Sequence, residues 1–186
     1  QDTSVLQWQN LIPLIDNALA QEKSNLLLVG DAKQAIYRWR GGRAEQFIKL
    51  GSENQNDRAS NPFQASKQVK GLETNYRSYS EVITFNNSFF QYVASYFQNP
   101  MYQKLFVQGN TQKTTNKIGG FVSIDFLEKE SKKEENDIKY AKRVLETILN
   151  LDSNFSRKDV CVLVRKKKEG VAIANYLSEN GVAIVS

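Results

Sequence analysis

The chain has 186 residues, with 25 lysines and arginines against 20 aspartates and glutamates, which gives a formal net charge of +5. It contains no histidine and a single cysteine, Cys161, so that imidazole catalysis, Ser-His-Asp triads, histidine-ligated metals, intrachain disulfides and cysteine-rich zinc sites are excluded. The hydrophobic fraction of 40% is typical of a globular protein with one or two domains. The basic excess favours polyanionic partners only weakly.

No apolar stretch approaches the roughly 20 residues that a membrane span needs, and the N-terminus lacks the pattern of a signal peptide. These features predict a protein of the reducing cytoplasm with no membrane partner. The sequence starts without methionine and ends on an apolar run, and we interpret it as a piece of a longer protein.

Helical periodicity is the first pattern along the chain. Apolar side chains recur at helical spacing over residues 4–20, which predicts an amphipathic helix, and Pro13 predicts a kink or a second helical segment there. The apolar run 26–29 is typical of a strand buried on both faces. A short helix at 44–50 and a polar loop at 51–66 are predicted to follow.

The middle of the chain combines a strand with an aromatic-rich helix. The strand is predicted around residues 69–72, and the helix is predicted to begin at Ser78 or Ser80 and to end near Pro100. Its aromatic face is typical of helix-to-sheet packing rather than of a cofactor site. The polar, glycine-containing stretch 108–120 is the best candidate for a domain boundary.

Strands and helices are predicted to alternate in the last third of the chain. The predicted strands are 121–127, 160–164 and 182–185, the predicted helices are 136–151 and 169–179, and the charged stretch 128–135 is predicted to be a solvated loop. This alternation predicts an α/β fold, in which parallel sheets are flanked by helices.

The stretch 26–42, LLLVGDAKQAIYRWRGG, contains the first candidate site residues. Lys33 and Gln34 follow the predicted strand end, where α/β proteins usually place their chemistry. A glutamine at this point can donate to a phosphate oxygen and accept from water, as a nucleotide sensor must. The competing interpretation is that these residues cap a helix.

Aromatic rings and guanidinium groups alternate in the same stretch, at Tyr37, Arg38, Trp39 and Arg40. This combination suits nucleic-acid bases and phosphates. Anchors that pack two domains together would use the same residue types, so both interpretations stay open.

Arg77, just ahead of a predicted helix, has the position of an arginine directed at developing phosphate charge. A surface or capping arginine is the simpler interpretation of the pattern alone. No G-x-x-x-x-G-K-[ST] sequence occurs, so the chain is not expected to hold a triphosphate unaided.

Two long motifs resemble a known family. VGDAKQAIYRWRGG at 29–42 and LETNYRS at 72–78 resemble the third and fourth motifs of UvrD/Rep-type superfamily 1 DNA helicases, which include the RecB/AddA-like helicase–nuclease subunits of the exodeoxyribonuclease V group. The N-terminal residues 1–3 are similar to the end of the D-E-x-Q-D-T motif, and residues 159–185 are similar to the start of the second motor domain. Departures from the usual motif occur at Ala32, Ala35, Gly42 and Arg43.

The resemblance implies parts of two RecA-like (P-loop NTPase) motor domains. Residues 1–76 would be the C-terminal part of the first domain and residues 77–186 the N-terminal part of the second, with a polar linker near 108–120. The magnesium-binding acidic pair of the family would lie just before Gln1, so no metal ligand is expected within this chain.

The resemblance also implies roles for individual residues. Gln34 and Arg77 would be the catalytic residues: Gln34 would sense the γ-phosphate, and Arg77 would reach it from the second motor domain. The implied ATP-binding residues are therefore Gln34, Tyr76, which would stack on adenine, and Arg77. The implied DNA-binding residues are Tyr37 and Trp39 at unpaired bases and Arg40 and Arg165 at the backbone.

We therefore expect a fragment of a bacterial ATP-dependent DNA helicase that acts in recombinational repair. The parent protein would use ATP and Mg²⁺ and bind single-stranded or double-stranded DNA, and its protein partner would be a second helicase–nuclease subunit. The isolated fragment would need no cofactor and would be inactive. The alternative is a non-catalytic nucleic-acid-binding or scaffolding domain derived from a helicase.

Overall fold

The structure, a computed structural model, describes residues 1–54, 57–109 and 111–185, with all of their side chains except that of Lys133. The chain divides into two compact units, Gln1–Val122 and Ser123–Ser186. Its described residues form the α-helices α1 (Val5–Leu19), α2 (Ala44–Leu50), α3 (Ser80–Ala94), α4 (Pro100–Gln108), α5 (Lys133–Leu149) and α6 (Lys167–Glu179), and the 3₁₀ helices Ala32–Gln34, Arg38–Arg40 and Arg157–Asp159.

Side-chain caps explain where two of the helices begin. Ser4 and Gln7 form a capping box at α1: the Gln7 backbone N–H donates to Ser4 Oγ at 3.2 Å, and the Ser4 N–H donates to Gln7 Oε1 at 3.0 Å. Asn99 caps α4 through the Met101 N–H at 2.9 Å, with Pro100 in the first helical position. The predicted helix at 4–20 is confirmed, and it continues through Pro13 as one helix.

Aromatic packing joins α3 to α4 in the first unit. The Phe106 ring of α4 stacks on Phe90 at a centroid distance of 5.5 Å and meets Phe97 edge-on at 5.4 Å. Ile83 and Ala94 of α3 are buried in the same unit. These ring pairs stabilise the helix pair beyond the area that they bury.

The second unit has its own apolar cluster between α5 and α6. Leu145 and Ile148 of α5 pack with Leu177 of α6 and with Val182, which follows that helix. Ile173 and Tyr176 add partly buried apolar surface to the cluster. The apolar faces of the two amphipathic helices therefore pack against each other in a common core.

The predicted α/β fold with parallel sheets is wrong for this structure. In the described ranges no two strands form a ladder, and the only strand-like pairings are isolated bridges, antiparallel between Ser4 and Gly42 and parallel between Thr74 and Lys113. Among the described residues, the stretches predicted as strands form no ladder, and most of their apolar side chains are exposed, as at Leu27 (82%) and Phe126 (93%), whereas Val182 is buried. A strand is stabilised by hydrogen bonds to a neighbouring strand, and an apolar run alone does not provide that neighbour.

The helices predicted from the sequence agree with the structure more closely than the predicted strands do. The predicted helix at 44–50 is confirmed as α2, and the helix predicted at 169–179 is confirmed as α6, which begins two residues earlier. The aromatic-rich helix ends at Ala94, and α4, which the periodicity did not predict, follows it. Part of the stretch predicted as a charged loop belongs to α5. Within the described part of the chain, none of the helices is long and apolar enough to cross a bilayer.

Candidate nucleotide and nucleic-acid site

Asp31 organises the short segment that contains Gln34. Its carboxylate caps the 3₁₀ helix Ala32–Gln34 by accepting from the Lys33 backbone N–H at 3.0 Å. The Lys33 ammonium lies 2.9 Å from Asp31 Oδ1, and the Gln34 side-chain amide donates to Asp31 Oδ2 at 3.1 Å. The Asp31 carboxylate therefore both caps this 3₁₀ helix and orients the Gln34 side chain.

The pKa of the Asp31 carboxyl lies below its ordinary value. Partial burial alone would raise this pKa, but the hydrogen bonds from Lys33 and Gln34 and the charge of Lys33 together outweigh the burial. Asp31 is thus an anion at neutral pH, and it holds one N–H of the exposed Gln34 amide. Among the described residues, no hydrogen bond uses the second N–H or the Oε1 of Gln34, so these groups can meet a phosphate oxygen and a water molecule.

Gly30 allows the N-terminal residue to approach this segment. A Cβ at Gly30 would lie 2.5 Å from Gln1 Oε1 and 2.7 Å from the Phe47 ring, so any larger residue would have to displace these two side chains. Gln1 Oε1 in turn accepts from the Asp31 N–H at 3.4 Å. The Gln1 side chain therefore lies beside the segment that orients Gln34.

Tyr37, Trp39 and Arg40 form one exposed cluster around the 3₁₀ helix Arg38–Arg40. The Tyr37 and Trp39 ring centroids are 6.2 Å apart, and the Arg40 guanidinium lies 4.6 Å from the Trp39 centroid and 5.6 Å from that of Tyr37. The Trp39 side chain is 74% exposed. A ring of this size beside a fixed cation can stack on an unpaired base while the cation attracts phosphate.

Two glycines end this helix. Gly41 has a φ of +88°, a left-handed conformation that side-chain-bearing residues rarely adopt. A Cβ at Gly42 would lie 3.0 Å from the Asp2 carbonyl oxygen and 3.1 Å from that of Tyr37. The Gly41-Gly42 pair thus lets the chain turn closely around the aromatic cluster.

Asn75 forms the turn that presents Tyr76 and Arg77. Its Oδ1 accepts from the backbone N–H groups of Arg77 at 2.9 Å and Ser78 at 3.0 Å, and its Nδ2 donates to Gln112 Oε1 at 2.8 Å. The Tyr76 side chain is 74% exposed, and that of Arg77 is also exposed. This turn leaves the Tyr76 ring and the Arg77 guanidinium open to solvent.

The structure brings some of the predicted site residues together and not others. Tyr37, Trp39 and Arg40 touch one another, whereas no hydrogen bond or ion pair in the described residues joins Gln34 to Tyr76 or Arg77. Arg165 belongs to the second unit, where it is exposed. Within the same described part of the chain, no group of three or more Asp, Glu or Cys side chains could hold a metal ion.

The sequence did not reveal the contact between Glu45 of α2 and Tyr102 of α4. The Tyr102 hydroxyl donates to Glu45 Oε1 at 2.8 Å, and the Arg38 guanidinium lies 3.8 Å from the same oxygen. The backbone N–H of Glu45 and the Tyr102 hydroxyl, in that order, hold the pKa of the Glu45 carboxyl below its ordinary value. The contact joins residues 57 positions apart, and no local pattern could have indicated it.

A cavity of about 160 Å³ lies next to this contact. Its lining includes Lys33, Arg38, Glu45 and Tyr102. The Arg38 side chain therefore contributes to the wall of the cavity, while its neighbours Trp39 and Arg40 form the aromatic cluster.

Two family models match the chain in succession. The UvrD/REP helicase N-terminal domain matches residues 1–55, and the UvrD-like helicase C-terminal domain matches residues 71–186. The first match contains Gln34 and the aromatic cluster, and the second contains Tyr76, Arg77 and Arg165.

Similar proteins occur among bacterial helicases. The chain is 28% identical over 200 residues to an ATP-dependent helicase/nuclease subunit of Lactococcus lactis strain IL1403, a match that covers 100% of this chain and 16% of that protein. It is 28% identical to the ATP-dependent DNA helicase Rep of Buchnera aphidicola subsp. Schizaphis graminum, over 89% of this chain and 20% of Rep. It is 29% identical to the RecBCD enzyme subunit RecB of Chlamydia trachomatis serovar D, over 73% of this chain and 12% of RecB.

The chain thus spans between 12% and 20% of the length of these three relatives. The C-terminal family model alone covers more than half of the chain. The resemblance that the motifs at 29–42 and 72–78 indicate is confirmed, and the chain belongs to the UvrD-like helicase family.

Proposed function

We propose that this chain is the segment of an ATP-dependent DNA helicase that couples a nucleotide site to single-stranded DNA. The observation that carries the proposal is the exposed cluster of Tyr37, Trp39 and Arg40, which begins three residues after Gln34. The family match and the names of the relatives, which are ATP-dependent helicases, support this assignment.

DNA contact is assigned to the aromatic cluster. The Trp39 ring stacks on an unpaired base, Tyr37 provides a second ring, and Arg40 holds the backbone phosphate beside them. Base stacking of this kind accepts every base, because each base has a π-face. The cluster therefore holds a single strand without reading its sequence.

Nucleotide contact is assigned to Gln34, Tyr76 and Arg77. The chemistry of these residues fits ATP: the exposed Tyr76 ring suits adenine, and the exposed Arg77 guanidinium has no carboxylate partner in the described residues. When bound, ATP supplies the γ-phosphoryl group whose hydrolysis drives movement along DNA. Gln34 orients water and a phosphate oxygen, and Arg77 stabilises the developing negative charge.

Coupling follows from the short distance along the chain between the two contacts. Asp31 holds Gln34 on one 3₁₀ helix, and Trp39 and Arg40 lie on the next. A shift of Gln34 toward the phosphate is therefore passed to the aromatic cluster through only a few residues of backbone. We assign this coupling to the segment between Asp31 and Gly41.

Other parts of the parent protein complete the activity. The chain contains no phosphate-binding G-x-x-x-x-G-K-[ST] sequence, so the phosphate loop and the carboxylates for Mg²⁺ are assigned to residues outside it. The fragment alone is accordingly predicted not to hydrolyse ATP. Because its proposed substrate is DNA, we assign the parent protein to the bacterial cytoplasm. Its proposed protein partner is a second helicase–nuclease subunit.

Steady-state ATP hydrolysis by the parent protein tests the proposal. Turnover is expected to rise when an oligo-dT single strand is added at saturating ATP. A parent protein that binds the strand but shows no turnover would support the non-catalytic, scaffolding alternative instead.

A further inference from the structure

Hydrogen bonds join the polar segment 111–119 to the turn at Asn75. The Asn75 backbone N–H donates to the Lys113 carbonyl oxygen at 3.0 Å, and the Lys113 N–H donates to the Glu73 carbonyl oxygen at 2.7 Å. The Lys113 ammonium also forms an ion pair with the Glu73 carboxylate. The segment therefore lies beside the residues that lead into the turn, although the two are distant in sequence.

Gln112 connects this turn to helix α3. Its Oε1 accepts from Asn75 Nδ2 at 2.8 Å, while Asn75 Oδ1 accepts from the Arg77 backbone N–H at 2.9 Å. The Asn87 side chain of α3 bonds the Gln112 backbone twice: its Nδ2 donates to the carbonyl oxygen and its Oδ1 accepts from the N–H, both at 3.0 Å. A continuous series of hydrogen bonds thus leads from the helix to the Arg77 backbone.

The bond between Gln112 and Asn75 does more than form the turn. An asparagine turn forms without outside support, because the side chain bonds the backbone two residues on. Asn75, Asn87 and Gln112 are partly buried, whereas the side chain of Arg77 is exposed. Gln112 therefore adds a fixed orientation of the turn relative to α3, and the exposed arginine is carried on a supported backbone.

Lys117 contacts the same turn at a second point. Its ammonium donates to the Tyr76 carbonyl oxygen at 2.7 Å. The Lys117 carbonyl oxygen accepts from the N–H of Ser80, the first residue of α3, at 2.9 Å, and the Gly119 N–H donates to Ser80 Oγ at 3.1 Å. None of these contacts uses the Tyr76 ring or the Arg77 guanidinium, so both groups can still meet a ligand.

We propose that Gln112 and Lys117 are positioning residues for ATP hydrolysis, and that they act through Arg77 and Tyr76 respectively. This inference rests on the proposed function, in which Arg77 stabilises charge that develops on the γ-phosphate. Such an arginine acts only when its guanidinium is held where the charge develops, and a displacement of about 1 Å can reduce turnover about 100-fold. Gln112 supports the backbone that presents Arg77, and Lys117 holds the carbonyl group of Tyr76.

Steady-state ATP hydrolysis by the parent protein at saturating oligo-dT tests the role of Gln112. Gln112→Met keeps the length of the side chain but removes the acceptor for Asn75. It is expected to lower kcat about 10- to 100-fold while the KM for ATP changes less than about threefold, because Arg77 acts in the transition state. Gln112→Glu keeps an acceptor oxygen and should retain kcat within about threefold. Gln108→Met, at an exposed position of α4, is the control and should have the wild-type rate.

Lys117→Met tests the second contact in the same assay. It removes the donor to the Tyr76 carbonyl oxygen, and Tyr76 is assigned to the adenine. The KM for ATP is therefore expected to rise about 3- to 10-fold, as the loss of one hydrogen bond would cause, with a smaller effect on kcat. Lys104→Met removes an exposed lysine of α4 and should leave both parameters unchanged.

Thermal unfolding and DNA binding of the same variants separate positioning from folding. Gln112→Met should keep the wild-type Tm within about 3 °C. Its affinity for labelled dT20, a single strand of DNA, should stay within about twofold of the wild type in fluorescence anisotropy, because the aromatic cluster is intact. A joint fall of Tm, dT20 affinity and kcat would indicate a merely structural role and overturn the inference.

Two further results would overturn the inference. Equal losses of kcat in Gln112→Met and Gln112→Glu would show that the acceptor oxygen does not matter. If Arg77→Ala abolishes turnover but Gln112→Met hydrolyses ATP at the wild-type rate, the inference fails and the proposed function stands. Wild-type turnover in Arg77→Ala would instead contradict the proposed function, and the inference with it.

Discussion

The Arg40 guanidinium carbon lies 4.6 Å from the centre of the Trp39 indole ring, and both side chains are exposed. At this distance the cation is attracted to the ring face, which fixes two groups that would otherwise sample several rotamers. The pair therefore presents a flat surface beside a positive charge, as the proposed contact with single-stranded DNA requires.

Trp39→Ala is expected to weaken binding of the 186-residue chain to dT20 by roughly 5- to 150-fold, because a base–aromatic stack contributes about 1–3 kcal/mol. Fluorescence anisotropy at fixed salt measures the change. Tyr140→Ala, which removes an exposed ring on α5, is the control and should leave the affinity unchanged. Equal losses in the two variants would contradict the stacking role.

Tyr102→Phe is expected to lower the free energy of unfolding by about 1 kcal/mol, because it removes a hydrogen bond to the Glu45 carboxylate. A double-mutant cycle with Glu45→Ala, followed by urea denaturation, should give a coupling energy of at least about 0.5 kcal/mol. Tyr140→Phe is the matched control, with an expected effect within about 0.5 kcal/mol. Additive effects of the two substitutions would show that the α2–α4 contact contributes nothing.

Stability should depend on pH through Asp31. Its pKa in the folded state lies below the ordinary value of 3.8, so its interactions stabilise the fold fully above that value and are lost as the pH falls through the folded-state pKa. The difference in unfolding free energy between the wild type and Asp31→Asn should therefore be largest near neutral pH and shrink below about pH 4. Denaturation curves at several pH values measure it, and a difference independent of pH would contradict this view of Asp31.

Lys67 is expected to order residues 57–66, which directly precede it. Its ammonium donates to the carbonyl oxygens of Leu50 and Ser60 at 2.9 Å each and to the buried Ser60 Oγ at 2.8 Å. Desolvation lowers the pKa of Lys67, and the charge of Asp57 opposes that shift.

Lys67→Met should therefore leave Ser60 with fewer partners and destabilise the segment locally by about 1–3 kcal/mol. Chymotrypsin cleavage after Phe63 measures the opening, and it should become several-fold faster in this variant. Lys70→Met, at an exposed position of the same stretch, should cleave at the wild-type rate. Unchanged cleavage in Lys67→Met would show that other contacts order the segment.

Local patterns predicted helices better than they predicted the sheet. The apolar spacing of α1 and the Ser4 cap are contained in a few neighbouring residues, and the structure has that helix where the pattern indicated it. Strand pairing joins distant segments, so the apolar run at 26–29 could not show whether a partner strand lies beside it. Asn99 and Pro100 do form a local start signal for α4, but we interpreted them as the end of the preceding helix; ring contacts of Phe106 with Phe90 of α3 and with Phe97 stabilise α4.

In the candidate site, too, features formed by neighbouring residues were predictable from the sequence, whereas contacts between distant residues were not. Tyr37, Trp39 and Arg40 are neighbours in sequence, and the motif indicated the residues that the structure places in one cluster. The turn at Asn75 also had a local signal, since asparagine commonly bonds the backbone two residues on. The Glu45–Tyr102 contact had none, and the roles assigned to Gln34 and Arg77 remain proposals.

The ATPase rate of the full parent protein with the Arg77→Ala substitution tests the central claim most directly. An arginine at developing phosphate charge contributes about 10³-fold or more to turnover, so Arg77→Ala should abolish DNA-stimulated hydrolysis. Arg77→Lys should restore little of it, because an ammonium lacks the planar donor pair of a guanidinium. Arg157→Ala, at an exposed arginine of the second unit, is the control and should hydrolyse ATP at the wild-type rate. Wild-type turnover in Arg77→Ala would contradict the assignment of this chain to the coupling segment of a helicase motor.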